Sequence, residues 1–133
     1  MIKGISHLGI AVRDLEKVRG FYRSVLGLES SDPIIGGDGT IRVSMVDAEN
    51  AIVELLQPIG NEGVVARFLE KRGEGMHHIC YEVDDIHKEV ASLKSKGIEV
   101  IGEPRAGAEG MSVFLHPRGT HGVLIEFVEK DKE

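Results

Sequence analysis

The fold of this chain is decided by one stretch, Gly75-Met76-His77-His78-Ile79-Cys80-Tyr81-Glu82-Val83-Asp84-Asp85-Ile86. Its side chains alternate between two faces, as in a strand, as far as Val83, and Asp85 can then cap a helix. A second copy, His7-Leu8-Gly9-Ile10-Ala11-Val12-Arg13-Asp14-Leu15, begins 71 residues before His78. In both copies a histidine precedes five strand-like residues that end in valine, then a polar dipeptide ending in aspartate, then an aliphatic residue. The chain therefore contains an internal repeat, which governs every further interpretation.

The repeat also includes a carboxylate on a later strand. Glu54 lies in Val53-Glu54-Leu55, and Glu126 lies in Ile125-Glu126-Phe127, 72 residues further on. Burying a carboxylate among apolar residues is costly unless it is paired or bound to a metal. The alternative is that His7 and His78 are ordinary strand histidines and that both glutamates are carboxylates at sheet edges. Because the histidine and the glutamate recur together, a divalent cation of intermediate hardness is favoured.

The hydrophobic pattern predicts the order β-α-β-β-β, written twice, within a single α+β domain of residues 1–133. Module one spans about residues 4–58, a connecting helix about 62–72, and module two about 75–129. In each first strand the histidine shares a face with small residues, whereas the bulky face should pack on a helix. One module would leave its sheet open, so two modules are expected to form an incomplete eight-stranded barrel. His7, Glu54, His78 and Glu126 would then point at a shared metal site.

Three boundary predictions bear on the later results. Residues 28–35 are expected to form a weak second strand interrupted by Pro33. Residues 122–128 are expected to form the last strand, and the charged tail 129–133 is expected to fray.

Composition narrows the function classes. The chain has 133 residues, 41% of them hydrophobic, and a formal net charge of -6, so no nucleic-acid partner is expected. There is no apolar run long enough for a membrane helix, and Met1 leads directly into strand-like sequence without a signal peptide. Cys80 is the single cysteine, which excludes an internal disulfide and fits a reducing compartment. A cytoplasmic location is therefore predicted.

The remaining histidines and the cysteine are given no role in the metal site: His77 is interpreted as structural or on the surface, and Cys80 as a small buried hydrophobic residue. His77 neighbours His78 in a strand and must point the other way, while His87 is expected on a solvated helix face. His116 and His121 flank a loop, where a loop role is favoured over ligand contact.

The duplicated histidine and glutamate pattern resembles the vicinal oxygen chelate (glyoxalase) superfamily and, within it, the methylmalonyl-CoA epimerase family. The similarity covers roughly residues 5–128. It rests on these motifs: His7-Leu8-Gly9-Ile10-Ala11-Val12, Val53-Glu54-Leu55-Leu56-Gln57-Pro58, Ala66-Arg67-Phe68-Leu69-Glu70-Lys71, Gly75-Met76-His77-His78-Ile79, Phe114-Leu115-His116-Pro117 and Gly122-Val123-Leu124-Ile125-Glu126.

The resemblance implies a metal-dependent epimerase that interconverts (2R)- and (2S)-methylmalonyl-CoA by abstracting the C2 proton through a metal-stabilised enolate. It implies ligation of Co, Mn, Ni or Zn by His7, Glu54, His78 and Glu126, with no other cofactor. It also implies a small acyl-CoA substrate, no membrane or nucleic-acid partner, and a homodimer.

The resemblance further suggests Glu126 as one acid/base group. Some family members place another glutamate on the third strand, but residues 40–44 of this chain contain no carboxylate. Glu54 is therefore the substitute candidate for the second acid/base group, although some epimerases carry glutamine there. Arg42 is either an ordinary exposed strand residue or a contact for the substrate carboxylate or the CoA phosphates.

Other members of the superfamily provide the alternatives. Glyoxalase I (lactoylglutathione lyase) uses the same ligand types on a glutathione hemithioacetal. An extradiol dioxygenase requires two histidines and one carboxylate, so the second glutamate counts against it. A bleomycin-resistance-type protein would be a metal-free binding module, and the repeated histidine and glutamate count against that reading.

Overall fold

The structure, a computed structural model, describes residues 1–36, 39–107 and 109–132. Within these residues there are eight strands, three α-helices, a π-helical turn and a 3-10 helix. The elements are β1 (Ile2–Ala11), α1 (Leu15–Phe21), the π-helical turn (Tyr22–Leu26), β2 (Ile34–Gly36), β3 (Ile41–Asp47), β4 (Ile52–Pro58), α2 (Val64–Arg72), β5 (Gly75–Val83), α3 (Ile86–Ser95), β6 (Val100–Ala106), β7 (Gly110–Leu115), the 3-10 helix (Pro117–Gly119) and β8 (Ile125–Lys130). None of the helices in this part of the chain has the length and apolar character that crossing a membrane requires.

The chain divides into two compact units. We call residues 7–77 the N-terminal unit, and residues 1–6 with 78–133 the C-terminal unit, so β1 contributes to both. In the N-terminal unit the strands run in the order β2-β3-β4-β1, and β4 is parallel to β1. In the C-terminal unit the order is β6-β7-β8-β5, and β8 is parallel to β5. The predicted order β-α-β-β-β, repeated once, is confirmed.

Each unit begins its helix in the same way. Asp14 caps α1 by accepting a hydrogen bond from the backbone N–H of Lys17 at 3.2 Å. Asp85 caps α3 by accepting one from the backbone N–H of Lys88 at 3.1 Å. These side chains satisfy amide groups that the first turn of a helix leaves without a partner. Gly27, with a φ of 72°, follows the π-helical turn as the sequence predicts for a terminating glycine.

The bulky face of each first strand packs on its helix, as predicted. In the N-terminal unit Val12 and Ile10 cluster with Leu15 and Val18 of α1 and with Leu55. The C-terminal unit has the equivalent core, formed by the following residues: Val83, Ile86, Val90, Val113, Leu115 and Phe127. Both helices are therefore held by apolar burial on one face of their sheet, which leaves the other face for polar side chains.

The strand boundaries differ from prediction in two places. β2 contains only Ile34–Gly36, and Ser30 forms an isolated bridge to Val46, because Pro33 has no N–H for a continuous ladder. β8 begins at Ile125, since Gly122 and Val123 are occupied in hydrogen bonds to Pro117 and Thr120 in the preceding turn.

The prediction that the tail frays from Glu129 is wrong for its first residues. Glu129 and Lys130 belong to β8 and pair with Met111 and Gly110 of β7. Residue 133, which the same prediction included, lies outside the described residues.

Candidate functional site

The first histidine and glutamate pair lies in the N-terminal unit. His7 of β1 and Glu54 of β4 place Nε2 and Oε2 3.6 Å apart, and their side chains are 4% and 15% exposed. The parallel register sets Glu54 opposite Gly9, two residues beyond His7 on the same face of β1. The carboxylate and the imidazole therefore project from the same face of two adjacent strands.

The second pair repeats this arrangement in the C-terminal unit. His78 of β5 and Glu126 of β8 place Nε2 and Oε1 3.2 Å apart, and their side chains are 5% and 12% exposed. The register sets Glu126 opposite Cys80, again two residues beyond the histidine. The two pairs therefore arise from one structural solution used twice: a parallel strand pair with a two-residue offset between histidine and glutamate.

Both glutamates lie on inner strands of their units. β4 pairs with β3 and β1, and β8 pairs with β7 and β5. The alternative that Glu54 and Glu126 are carboxylates on sheet edges is therefore wrong. With side chains only 15% and 12% exposed, the two carboxylates are largely shielded from water and need a favourable partner.

The spacing within the two pairs is close to that of neighbouring ligands of one metal ion. Two donors bound to a cation at about 2.1 Å lie about 3.0–3.4 Å apart for angles between 90° and tetrahedral. The observed separations are 3.6 Å for His7–Glu54 and 3.2 Å for His78–Glu126. An imidazole nitrogen and a carboxylate oxygen together suit a divalent transition metal. The His78–Glu126 separation lies within this range and the His7–Glu54 separation is slightly longer, so both pairs have the donor types that such a cation binds and the second pair also has the spacing.

The side chains around Glu126 are small or apolar. Cys80 is fully buried, which agrees with its interpretation as a small core residue. Phe114 of β7 lies opposite Glu126, and its ring meets the His78 imidazole edge-on, with ring centroids 5.4 Å apart. An aromatic ring in this position restricts the rotation of the imidazole and keeps water from this side of the pair.

His77, His87 and His116 occupy positions that agree with their predicted roles. His77 packs edge-on against Phe68 of α2, with a centroid separation of 5.1 Å. His87 is exposed on α3. His116 accepts a hydrogen bond through Nδ1 from the backbone N–H of Arg118 at 3.1 Å and so begins the 3-10 helix.

Arg42 is oriented toward an acidic side chain of its own unit. Its Nη2 lies 4.0 Å from Glu16 Oε1, and its side chain is 39% exposed. This geometry agrees with an ordinary strand arginine.

Two residues near the pairs were not predicted as functional. Gln57 Oε1 accepts a hydrogen bond from the backbone N–H of Leu15 at 2.7 Å, and Glu129 Oε1 accepts one from Ile86 at 2.8 Å. The spacing of 72 residues between Gln57 and Glu129, equal to that between Glu54 and Glu126, was a signal available in the sequence.

Comparison with known proteins decides the family. The model of the Glyoxalase/Bleomycin resistance protein/Dioxygenase superfamily matches residues 6–114. The chain belongs to this superfamily. The predicted vicinal oxygen chelate fold is thereby confirmed.

Several relatives within the superfamily are methylmalonyl-CoA epimerases. The ethylmalonyl-CoA/methylmalonyl-CoA epimerase of Cereibacter sphaeroides is 43% identical over 130 residues, which cover 95% of this chain and 97% of that protein. The mitochondrial methylmalonyl-CoA epimerase of Bos taurus is 43% identical over 125 residues, which cover 92% and 71%. A variant of the Streptomyces coelicolor methylmalonyl-CoA epimerase, solved in complex with 2-nitronate-propionyl-CoA, is 34% identical with a TM-score of 0.91, over 99% of this chain and 100% of that one. The predicted resemblance to methylmalonyl-CoA epimerases is confirmed.

Proposed function

We propose that this chain is a methylmalonyl-CoA epimerase that interconverts the (2R) and (2S) forms of its substrate. The observation that carries the proposal is the 43% identity to the Cereibacter sphaeroides epimerase across 95% of this chain. The repeated pairs of histidine and glutamate support it, since they provide carboxylates that are largely shielded from water for proton transfer at a carbon acid.

The proposal includes one divalent cation, Co, Mn, Ni or Zn, bound by His7, Glu54, His78 and Glu126. Two imidazoles and two carboxylates form a donor set of intermediate hardness. When bound, the cation would act as a Lewis acid toward the negative charge that develops on the substrate oxygens. The spacing supports the assignment, because the His78–Glu126 separation of 3.2 Å matches that of neighbouring ligands and the His7–Glu54 separation of 3.6 Å is only slightly longer.

The two glutamates are assigned the proton transfers. The C2 hydrogen of the substrate lies between a thioester and a carboxylate, so its removal leaves an electron pair that is delocalised onto the thioester oxygen. Glu126 accepts this proton, and Glu54 delivers a proton to the other face of C2, which inverts the centre. The reverse reaction exchanges the two roles, and solvent restores the protonation state of both carboxyl groups. Glu54 is supported as the second group because residues 40–44 have no carboxylate and Glu54 faces Met45 of β3.

The experiment that tests the function follows the C2 proton directly. The protein is incubated in D₂O with (2R)- or (2S)-methylmalonyl-CoA, and deuterium at C2 and the ratio of epimers are measured by NMR. We expect deuterium incorporation and an equal mixture of epimers from either starting form. Ethylmalonyl-CoA in a parallel reaction tests whether the pocket accepts a longer alkyl group. Turnover of methylglyoxal with glutathione, together with no exchange of the C2 proton of methylmalonyl-CoA, would overturn the proposal in favour of glyoxalase I.

Replacing Glu54 by glutamine separates exchange from inversion. We expect epimerisation to slow by about 100-fold, because one proton donor is lost, while Glu126 still exchanges the C2 proton of one epimer with retention. The measurement compares deuterium incorporation with the rate of inversion for each epimer. Glu62→Gln, a change at an exposed carboxylate of the same unit, serves as the control. Inversion at the wild-type rate in the Glu54 variant would remove Glu54 from the acid/base role.

A homodimer and a cytoplasmic location belong to the same proposal. Apolar side chains at the end of the first helical segment are at least half exposed, at 50% for Phe21, 66% for Val25 and 50% for Leu26. A second copy of the chain would shield such a surface from water. The cytoplasmic location is supported by Cys80, a single buried cysteine of the kind found in reducing compartments.

A further inference from the structure

We infer that Gln57 and Glu129 are positioning residues, each of which fixes the glutamate of one His–Glu pair relative to its histidine. The inference rests on the proposed function, because it concerns the same four side chains. Gln57 accepts a hydrogen bond from the N–H of Leu15 at 2.7 Å, and Glu129 accepts one from the N–H of Ile86 at 2.8 Å. Each bond joins the strand that carries the glutamate to the helix that follows the strand with the histidine. We refer to these two bonds as the clamps.

The two clamps have the same place in the repeat. Gln57 is three residues beyond Glu54, and Glu129 is three residues beyond Glu126. An offset of three places the two side chains on opposite faces of a strand, so each strand holds its glutamate on one face and its clamp on the other. The donors Leu15 and Ile86 are each eight residues beyond the histidine of their unit.

A clamp provides an additional connection between the glutamate strand and the elements that follow the histidine strand. β4 and β8 are reached only after two further strands and have no tight turn that connects them to β1 or β5. Their register relative to the histidine strand therefore depends on the ladder and on side-chain packing, and a slip would carry the carboxylate away from the imidazole. The clamp ties the far end of the glutamate strand to the first amide of the helix, whose position follows that of the histidine strand.

The clamps differ from ordinary helix caps. Asp14 and Asp85 already provide a local acceptor at each helix start, for Lys17 and Lys88. The additional acceptor comes from the glutamate strand in both units, although one is an amide and the other a carboxylate. The shared requirement is thus an oxygen atom at this point, not a charge. The clamps do not involve the proposed ligands themselves, but they hold the strand from which each glutamate projects, so their loss is expected to lower metal affinity as the loss of other groups that orient ligands does.

The test uses the full chain with changes that remove the acceptor, Gln57→Met and Glu129→Met, which keep the length of the side chain. Glu129→Gln and Gln57→Glu keep an oxygen and serve as the conservative variants. Asp14→Ala and Asp85→Ala remove the local cap of the same helices and serve as stability controls. For each protein we would measure the thermal midpoint, the affinity for Co(II) by competition with a chelator, and kcat and KM for methylmalonyl-CoA.

We expect each Met variant to lose about tenfold in Co(II) affinity and in kcat, with KM changed by less than about twofold. The oxygen-retaining variants should stay within about threefold of the wild type. The Asp variants should lower the thermal midpoint by about 3–5 °C yet leave Co(II) affinity within about twofold. The two units provide independent tests. If one Met variant fails to fold, the Met variant of the other unit still tests the inference.

The outcomes separate this inference from the proposed function. If the Asp variants lose as much Co(II) affinity as the Met variants, the loss of affinity results from lower stability and the positioning role is wrong. If the wild type binds Co(II) and exchanges the C2 proton, and the Met variants do so equally well, only the inference is overturned. If the wild type does neither, the proposed function is wrong and the inference falls with it.

Discussion

Replacing Glu126 by glutamine is expected to lower kcat by about 10³-fold or more and to abolish exchange of the C2 proton. An amide cannot accept the proton from C2, and positioned acid/base groups commonly contribute factors of this size. The Glu126 side chain is 12% exposed and lies on an inner strand, with Oε1 3.2 Å from His78 Nε2. The same substitution also replaces a charged donor by a neutral one beside His78, so Co(II) affinity should fall as well.

The Glu126 variant is measured by a stereospecific assay and by deuterium incorporation in D₂O. Glutamine has nearly the same volume as glutamate, so the thermal midpoint should remain within a few degrees of the wild type. Glu103→Gln is the matched control, because the Glu103 side chain is 79% exposed and forms a surface ion pair with Lys94 at 3.7 Å. Wild-type turnover in the Glu126 variant would exclude this carboxylate from proton transfer.

Removal of divalent cations is the second change with a large expected effect. Dialysis against a chelator should abolish epimerisation, and addition of Co(II) or Mn(II) should restore it at least in part. The chelated protein should also unfold at a lower temperature, because a ligand that binds only the folded state stabilises it by mass action. Activity and thermal midpoint are measured before and after chelation, with metal content determined in the same samples.

Two histidine variants show whether the cation uses the proposed ligands. His78→Ala should weaken Co(II) binding by about 100-fold or more, whereas His87→Ala should leave it unchanged, because His87 is exposed on α3. Full activity in protein shown to contain no divalent cation would contradict the metal-dependent mechanism. Equal Co(II) affinities of the two variants would instead show that His78 is not a ligand.

Much of the fold was accessible from the sequence because its signals are local. The alternation of β1 and β5, the capping residues Asp14 and Asp85 and the terminating glycine Gly27 each depend on a few consecutive residues. The repeat then strengthened these predictions, since every feature recognised in one half of the sequence could be checked in the other half. For the same reason the candidate ligands could be chosen before any contact was known.

The predictions that were wrong concern segments whose structure depends on interactions between distant parts of the chain. Glu129 was assigned to a charged tail on composition alone, yet it pairs with Met111 and accepts a hydrogen bond from Ile86. The last strand was predicted to begin at Gly122, but the hydrogen bonds of the preceding turn delay it to Ile125. No local pattern distinguishes a charged residue that frays from one that caps a helix 43 residues away.

The sequence by itself determined the repeated module, the family and the identity of four candidate ligands, because repetition and periodicity are properties of the chain. Only the tertiary structure decided which glutamate meets which histidine and how each pair is held. His7 meets Glu54 and His78 meets Glu126 because β1 and β4, and likewise β5 and β8, pair in parallel with a two-residue offset. That offset follows from the register of strands that are far apart in sequence, and register is set by long-range hydrogen bonds and side-chain packing.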